Sequence, residues 1–212
     1  MTGRSYGDAC GVARALDVIG ERWALLVIRE LLLGPKRFGD LHRGLGRMSQ
    51  NVLAQRLREL EAAGVAERRR LGPPAGAWVY SLTERGAALE PVLVELGRWG
   101  RHRPVAAGAP LSLDAFALAL RTTYAGGATG VRALLVGDGD AILVDTRDGE
   151  LAVARGAPAD VAVAAWADVT ALRELAFGTL RVRDAMAAGD LQVEGDAAAL
   201  QRLFDAIAPR VA

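Results

Sequence analysis

Between residues 49 and 64 the apolar positions fall three and four apart, the spacing of one helix face. Leu53, Leu57 and Leu60 make the inner stripe, and Asn51, Gln55 and Arg58 project from the opposite side. Ser49 suits the N-cap, and Gly64 the stop after the last turn. Upstream, Phe38, Leu41 and Leu45 predict a second short helix, joined to the first through Gly46–Arg47–Met48, a helix-turn-helix connection. Ahead of both, the apolar run Trp23–Leu33 predicts a buried helix that stops at Gly34–Pro35. Val65–Arg70 and Trp78–Leu82 read as strands around a Gly72–Pro–Pro–Ala–Gly76 turn. Three helices and a two-stranded ribbon in this order predict a winged helix. Thr83 then caps a helix predicted to run through Ala87, Leu89, Val92, Leu93, Leu96 and Trp99 to about Arg101. It carries more large apolar groups than one small domain covers, and that surplus is read as a dimer face, with simple core packing as the competing reading. Pro91 either kinks this helix or marks the start of its long part.

A Pro, Gly and Ala stretch at 104–110 separates this half from a different pattern. Ser112 caps a helix with Leu113, Phe116, Leu120 and Tyr124. Strands are predicted over 131–136, 141–145, 151–154 and 160–166, with hairpin chemistry at Gly137–Asp140 and Asp148–Gly149. Helices after Asp168 and over 183–188, a short strand at 191–194 and an Asp196-capped helix through Leu200, Leu203, Phe204 and Ile207 complete the chain. The fold class is therefore α+β. A winged helix-turn-helix domain occupies 1–103, a linker 104–110, and a sheet with helices banked against it 111–212.

Charge separates the halves. Residues 1–103 hold 17 Lys and Arg against 11 Asp and Glu, a net +6, and residues 104–212 hold 9 against 14, a net −5, leaving the 212-residue chain at +1. A basic first half is the footprint that a phosphate backbone attracts, and an acidic second half is repelled by it. Amide and guanidinium groups pair bidentately with adenine and guanine edges in a major groove. Asn51, Gln55 and Arg58 are therefore candidate base readers, and Ser49 and Gln50 at the helix start candidate phosphate or base contacts. Arg68, Arg69 and Arg70 are candidate grips on the DNA backbone. The competing reading of this helix is an ordinary solvated face.

Residues 104–212 contain no His, Cys or Lys, so most general bases, nucleophiles and soft metal ligands are missing there. Asp138, Asp140, Asp145, Asp148 and Glu150 lack the spacing of a calcium loop, and no glycine-rich element suggests a nucleotide site. No enzyme activity, metal or cofactor is expected. No apolar stretch is long enough to span a bilayer and Met1–Asp8 does not read as a signal peptide, so no membrane partner and a cytoplasmic location are expected. Cys10, the single cysteine, lies near the start of the first helix, with Arg14 one turn away. It is a candidate thiol sensor of oxidants or electrophiles, or else a small apolar packing residue.

Several separated segments resemble the HxlR-type bacterial transcriptional regulators: Cys10–Trp23, Leu32–Leu41, Ser49–Leu60 and Tyr80–Gly86, across roughly residues 6–103. The resemblance implies a homodimeric winged-helix regulator held by its N-terminal helix and the helix after the wing. The family's wing often carries an arginine after the paired prolines, whereas here Ala75–Gly76–Ala77 follow Pro73–Pro74. That places the wing's grip at Arg68–Arg70. Gly189–Asp–Leu–Gln–Val–Glu–Gly–Asp196 and Trp166–Thr170 are similar to the closing part of a sterol-carrier-protein-type domain over roughly 111–208. This second resemblance implies an apolar cavity for a small hydrophobic effector, with Trp166, Leu175, Phe177, Leu180 and Met186 as candidate lining residues. For each of these five, filling an ordinary core is the competing reading.

Together these readings describe a homodimer on an inverted-repeat operator in double-stranded DNA, switched by a small apolar ligand. Two rivals differ in kind. One is a carrier of hydrophobic small molecules whose winged helix only dimerises the chain. The other is a regulator whose input is Cys10.

Overall fold

The computed structural model describes residues 5–105, 109–124, 126–127 and 130–207. The chain divides into two compact units, Met1–Leu93 and Val94–Ala212. That division falls ahead of the expected linker at 104–110, of which residues 106–108 lie outside the described residues.

The first unit begins with α1 (Gly11–Ile19), α2 (Ala24–Leu31), α3 (Phe38–Leu45) and α4 (Gln50–Ala62), followed by β1 (Ala66–Arg70) and β2 (Trp78–Leu82). α2 is the central helix, with Val27, Ile28 and Leu31 buried against α3 and α4. Leu53, Leu57 and Leu60 are buried as their spacing predicts. Ser49 Oγ caps α4 by accepting from the Val52 amide at 3.4 Å. At the other end Val65 N donates to Leu60 O and Gly64 N to Glu61 O, both 2.9 Å. This pair closes the helix as a Schellman motif, with Gly64 at φ 66° and the buried pair Leu60–Val65 beneath it.

β1 and β2 pair antiparallel, Ala66 opposite Leu82 and Arg70 opposite Trp78. Lys36, between α2 and α3, adds to the ribbon: its N donates to Tyr80 O at 2.9 Å, and its O accepts from Tyr80 N at 2.8 Å. The Lys36 ammonium turns inward onto Glu30, which is fully buried, and bonds Oε2 at 2.9 Å; Arg29 holds Oε1 at 2.9 Å. α3 lies over that carboxylate at Gly44, where a Cβ would sit 2.3 Å from Glu30 Oε2.

The helix predicted from Thr83 is two helices, α5 (Glu84–Ala87) and α6 (Glu90–Gly100). Pro91 lies in the first turn of α6, where its missing N–H leaves no intrahelical bond unmade. Thr83 caps α5 alone, accepting from Gly86 N at 3.2 Å, while its hydroxyl donates to Gly64 O at 2.7 Å.

The second unit holds α7 (Leu113–Thr123), β3 (Arg132–Gly137), β4 (Asp140–Asp145), β5 (Ala152–Arg155) and β6 (Val163–Trp166). α8 (Val169–Phe177), α9 (Val182–Ala188), β7 (Gln192–Gly195) and α10 (Ala197–Ile207) follow. The sheet runs β5-β4-β3-β6-β7, with β3 and β6 parallel and the other pairs antiparallel. Asp138 and Gly139 both take positive φ, the geometry of a two-residue hairpin. Ser112 and Asp196 cap α7 and α10 as predicted, and Asp168 caps α8 in the same way. The strand predicted at 160–166 starts only at Val163, where the pairing with β3 begins.

On β4 and β5, Ile142, Val144 and Val153 are buried while their neighbours are half-buried or exposed. That alternation marks the face covered by helices, with α7 against β4 and α10 against β6. Phe116, Leu120, Leu135, Leu172, Leu203 and Phe204 form the core. Arg155 clamps the start of α7 to the sheet by pairing with both Asp114 and Asp140. Arg121 donates to Val153 O, and burial pulls its guanidinium below its ordinary pKa.

Candidate nucleic-acid interface

The four-residue turn Gly46–Ser49 presents the start of α4 with Ser49, Gln50 and Asn51 all exposed. One turn on, Arg58 is exposed and Gln55 half-buried. Arg58 Nη2 donates to Gln55 Oε1 at 2.6 Å, and Gln55 Nε2 donates to Glu59 Oε1 at 2.6 Å. Glu59 also pairs with Arg56, whose side chain is nearly buried and reaches Glu21 at 3.7 Å. The amide and guanidinium expected to face a groove together are therefore linked to each other on the free protein. Arg37, Arg43 and Arg47 add exposed positive charge around the turn.

In the wing, strand alternation separates the three arginines. Opposite residues share a face, so Arg68 and Arg70 lie with Tyr80 and Trp78, and Arg69 lies on the other side with Val79. Arg68 stacks over the Trp78 ring at 4.6 Å, and Trp78 is 53% exposed. Arg70 Nε donates to Gly76 O at 2.9 Å, tying it to the wing's turn. Arg69 Nε donates to Ser81 Oγ at 3.1 Å and stands 3.8 Å from Glu67, so a carboxylate and a buried hydroxyl occupy it.

Reasoning from sequence missed Glu59, Arg56 and Trp78. The first two were open to detection, since Gln55–Glu59 and Arg56–Glu59 stand four and three apart on one helix. Trp78 was not, because its place under Arg68 depends on the register of β1 with β2.

Two helices each leave more than one large apolar side chain exposed. Val12 and Leu16 are uncovered on α1, and Val92, Leu96 and Trp99 on α6, with Trp99 76% exposed. Cys10 is exposed at the N-cap of α1, and its amide donates to Asp8 Oδ1 at 2.8 Å.

The five candidate lining residues of the second unit are dispersed. Leu175 is buried, and Phe177 meets the Phe116 ring edge-on at 5.9 Å and 61°. Trp166 is half-buried at the end of β6, opposite Val136 and Gln192, and Leu180 is half-buried between α8 and α9. Met186 opens onto a cleft between α9 and α10 that Arg181, Val182, Arg183, Ala197, Ala198 and Gln201 also line. Of the five, only Met186 lines that cleft.

A capped helix behind a tight turn, its polar face outward and a basic ribbon after it, defines the winged helix-turn-helix class of DNA-binding proteins. The comparisons narrow the class. The HxlR-like helix-turn-helix family model matches residues 18–105, and the SCP-2 sterol transfer family model matches residues 126–207. The uncharacterized HTH-type transcriptional regulator YvaP of Bacillus subtilis is 38% identical over 86 residues, covering 41% of this chain and 80% of that one. YkvN of the same organism is 41% identical over 94 residues, covering 44% and 80%. The HTH-type transcriptional regulator YodB, also from B. subtilis, is 40% identical over 85 residues, covering 40% and 76%. The solved reduced form of YodB aligns at 38% identity and a TM-score of 0.40, over 43% of this chain and 91% of that one. The chain belongs to the HxlR-like helix-turn-helix family. Its relatives are transcriptional regulators, and the SCP-2 match begins only after the HxlR-like match ends.

Proposed function

We propose that the chain is a homodimeric, sequence-specific DNA-binding transcriptional regulator switched by a small apolar effector held in its second unit. The observation that carries the reading is the Ser49-capped α4, which offers Gln50, Asn51 and Arg58 to solvent beside a wing bearing Arg68 and Arg70. Ser49 and Gln50 contact phosphate or bases at the helix start, and Asn51 and Arg58 reach base edges, with Gln55 beside them. Arg68 and Arg70 grip the phosphate backbone, and Arg69 supports the ribbon from its other face. The exposed apolar side chains of α1 and α6 supply the dimer contact. Two copies then present their recognition helices about 34 Å apart, on an inverted repeat.

The match to the SCP-2 sterol transfer family supports an apolar effector. For that effector to act, its affinity must differ between the DNA-competent and incompetent states. Cys10, exposed at the start of α1, offers a second input.

Fluorescence anisotropy on the promoter of the protein's own gene tests the DNA claim. Affinity should fall steeply as salt rises, and Arg58→Ala should remove sequence preference. An intact dimer that fails to bind at low salt refutes it. Native mass spectrometry of the purified protein tests the effector, with one apolar mass per chain expected. Cys10→Ala that leaves the response to oxidant or quinone on promoter DNA unchanged excludes the thiol.

A further inference from the structure

Gln55 and Arg58 look equivalent on a helical wheel, but their bonds are not. Arg58 donates to the Gln55 carbonyl oxygen at 2.6 Å, and the Gln55 amide nitrogen donates to Glu59 at 2.6 Å. The two ends leave the amide one orientation, because a guanidinium only donates and a carboxylate only accepts. Glu59 is itself paired with Arg56, whose side chain is 14% exposed and stands 3.7 Å from Glu21. The four side chains form a relay along α4, from a nearly buried anchor at Arg56 to an exposed tip at Arg58.

Reading adenine would take both ends of the Gln55 amide, the oxygen for the N6 amino group and the nitrogen for N7. Each end is already bonded to a charged group, the stronger kind of hydrogen bond, so turning the amide onto adenine would bend or break those bonds even though one lone pair and one N–H remain. Arg58 is in the opposite position. Its bond to Gln55 uses one of five N–H donors and leaves a fork free for guanine O6 and N7. The tether also restrains a long side chain before it meets DNA, so less rotamer entropy is lost on binding.

We propose that Arg58 reads a guanine in each half-site and that Gln55, held by Glu59, is a positioning residue rather than an adenine reader. The proposal rests on the DNA-binding reading above and goes further by assigning one base of the operator. It separates two residues that face the same groove.

The test is selection of preferred sites from a random duplex pool with the full-length protein. It is followed by affinities for each base at each selected position, for wild type, Arg58→Ala, Gln55→Ala and Glu59→Gln. Wild type should select one guanine per half-site by roughly 10-fold to 100-fold over the other bases, the discrimination a bidentate pair supplies. Arg58→Ala should abolish that preference. Gln55→Ala and Glu59→Gln should each reduce discrimination several-fold at the same guanine and leave every other position unchanged. A merely structural role would lower affinity for all sequences alike and leave the ratios intact, which overturns the proposal. So does a Gln55→Ala protein that keeps the guanine and loses an adenine elsewhere. If wild type selects no sequence, the DNA-binding reading itself has failed, and this assignment falls with it.

Discussion

Lys36→Met should loosen the whole DNA-binding unit, although Lys36 is buried and is not itself a candidate DNA contact. Its ammonium lies 2.9 Å from Glu30 Oε2, and both residues are almost wholly buried, Glu30 at 0% exposure and Lys36 at 8%. Methionine keeps the length of the side chain and the backbone bridge to Tyr80, so the perturbation is the charge. Breaking a buried ion pair by removing one partner costs about 3–5 kcal/mol, because the remaining charge stays in low dielectric. Arg29 still holds the other carboxylate oxygen at 2.9 Å and is itself partly solvated. That places the expected loss at the low end, about 3 kcal/mol.

Hydrogen exchange of the buried α2 and α4 amides reads the opening of this unit apart from the rest of the chain. A loss of about 3 kcal/mol should speed their exchange roughly 100-fold. Glu30→Met combined with Lys36→Met removes both charges and should recover most of that loss, since apolar replacement of a buried pair is often neutral or stabilising. Exchange in Lys36→Met close to the wild-type rate would mean that the buried charge of Glu30 costs little without Lys36. A double variant no better than the single one would make the loss one of packing.

Gly86→Ala should destabilise the first unit by about 1–3 kcal/mol, the usual cost of overpacking. A Cβ there would lie 2.0 Å from Val65 O, at the end of α4. Circular dichroism melts check it, and an unchanged midpoint would mean that the backbone gives way freely. In the second unit, the Arg147 guanidinium bonded to Asp145 and the Ala199 amide bonded to Asp196 hold both carboxyls below the ordinary carboxylate range. A depressed folded-state pKa contributes stability that is present above the unfolded value and lost as pH falls through the folded one. Stability of this unit should therefore decline below about pH 4. Asp145→Asn with Asp196→Asn should flatten that decline in urea titrations, and an unaltered acid limb would remove these two groups from the account.

The order of elements, most of the caps and the inner stripes are written in the local sequence. These depend on neighbours within about one turn of chain: Ser49, Ser112, Asp168 and Asp196 cap because a side-chain oxygen three residues back from an amide reaches it. Leu53, Leu57 and Leu60 are buried because helical period places them together. The family, too, was legible in short motifs spread along the first half. Register and depth belong to the tertiary structure. Alternation along β1 already separates Arg69 from Arg68 and Arg70, but only the pairing of Arg70 with Trp78 brings that indole under Arg68. Nothing in the local sequence marks Glu30 and Lys36 as buried, since burying a charge costs more than an isolated side chain can recover; the fold makes it tolerable by bringing the two to within 2.9 Å of each other beside Arg29. The second unit shows the same limit from the apolar side. Composition marks Leu175, Phe177 and Met186 as equally oily, and only the packing of α7 through α10 buries the first, sets the second edge-on to Phe116 and leaves the third at an open cleft.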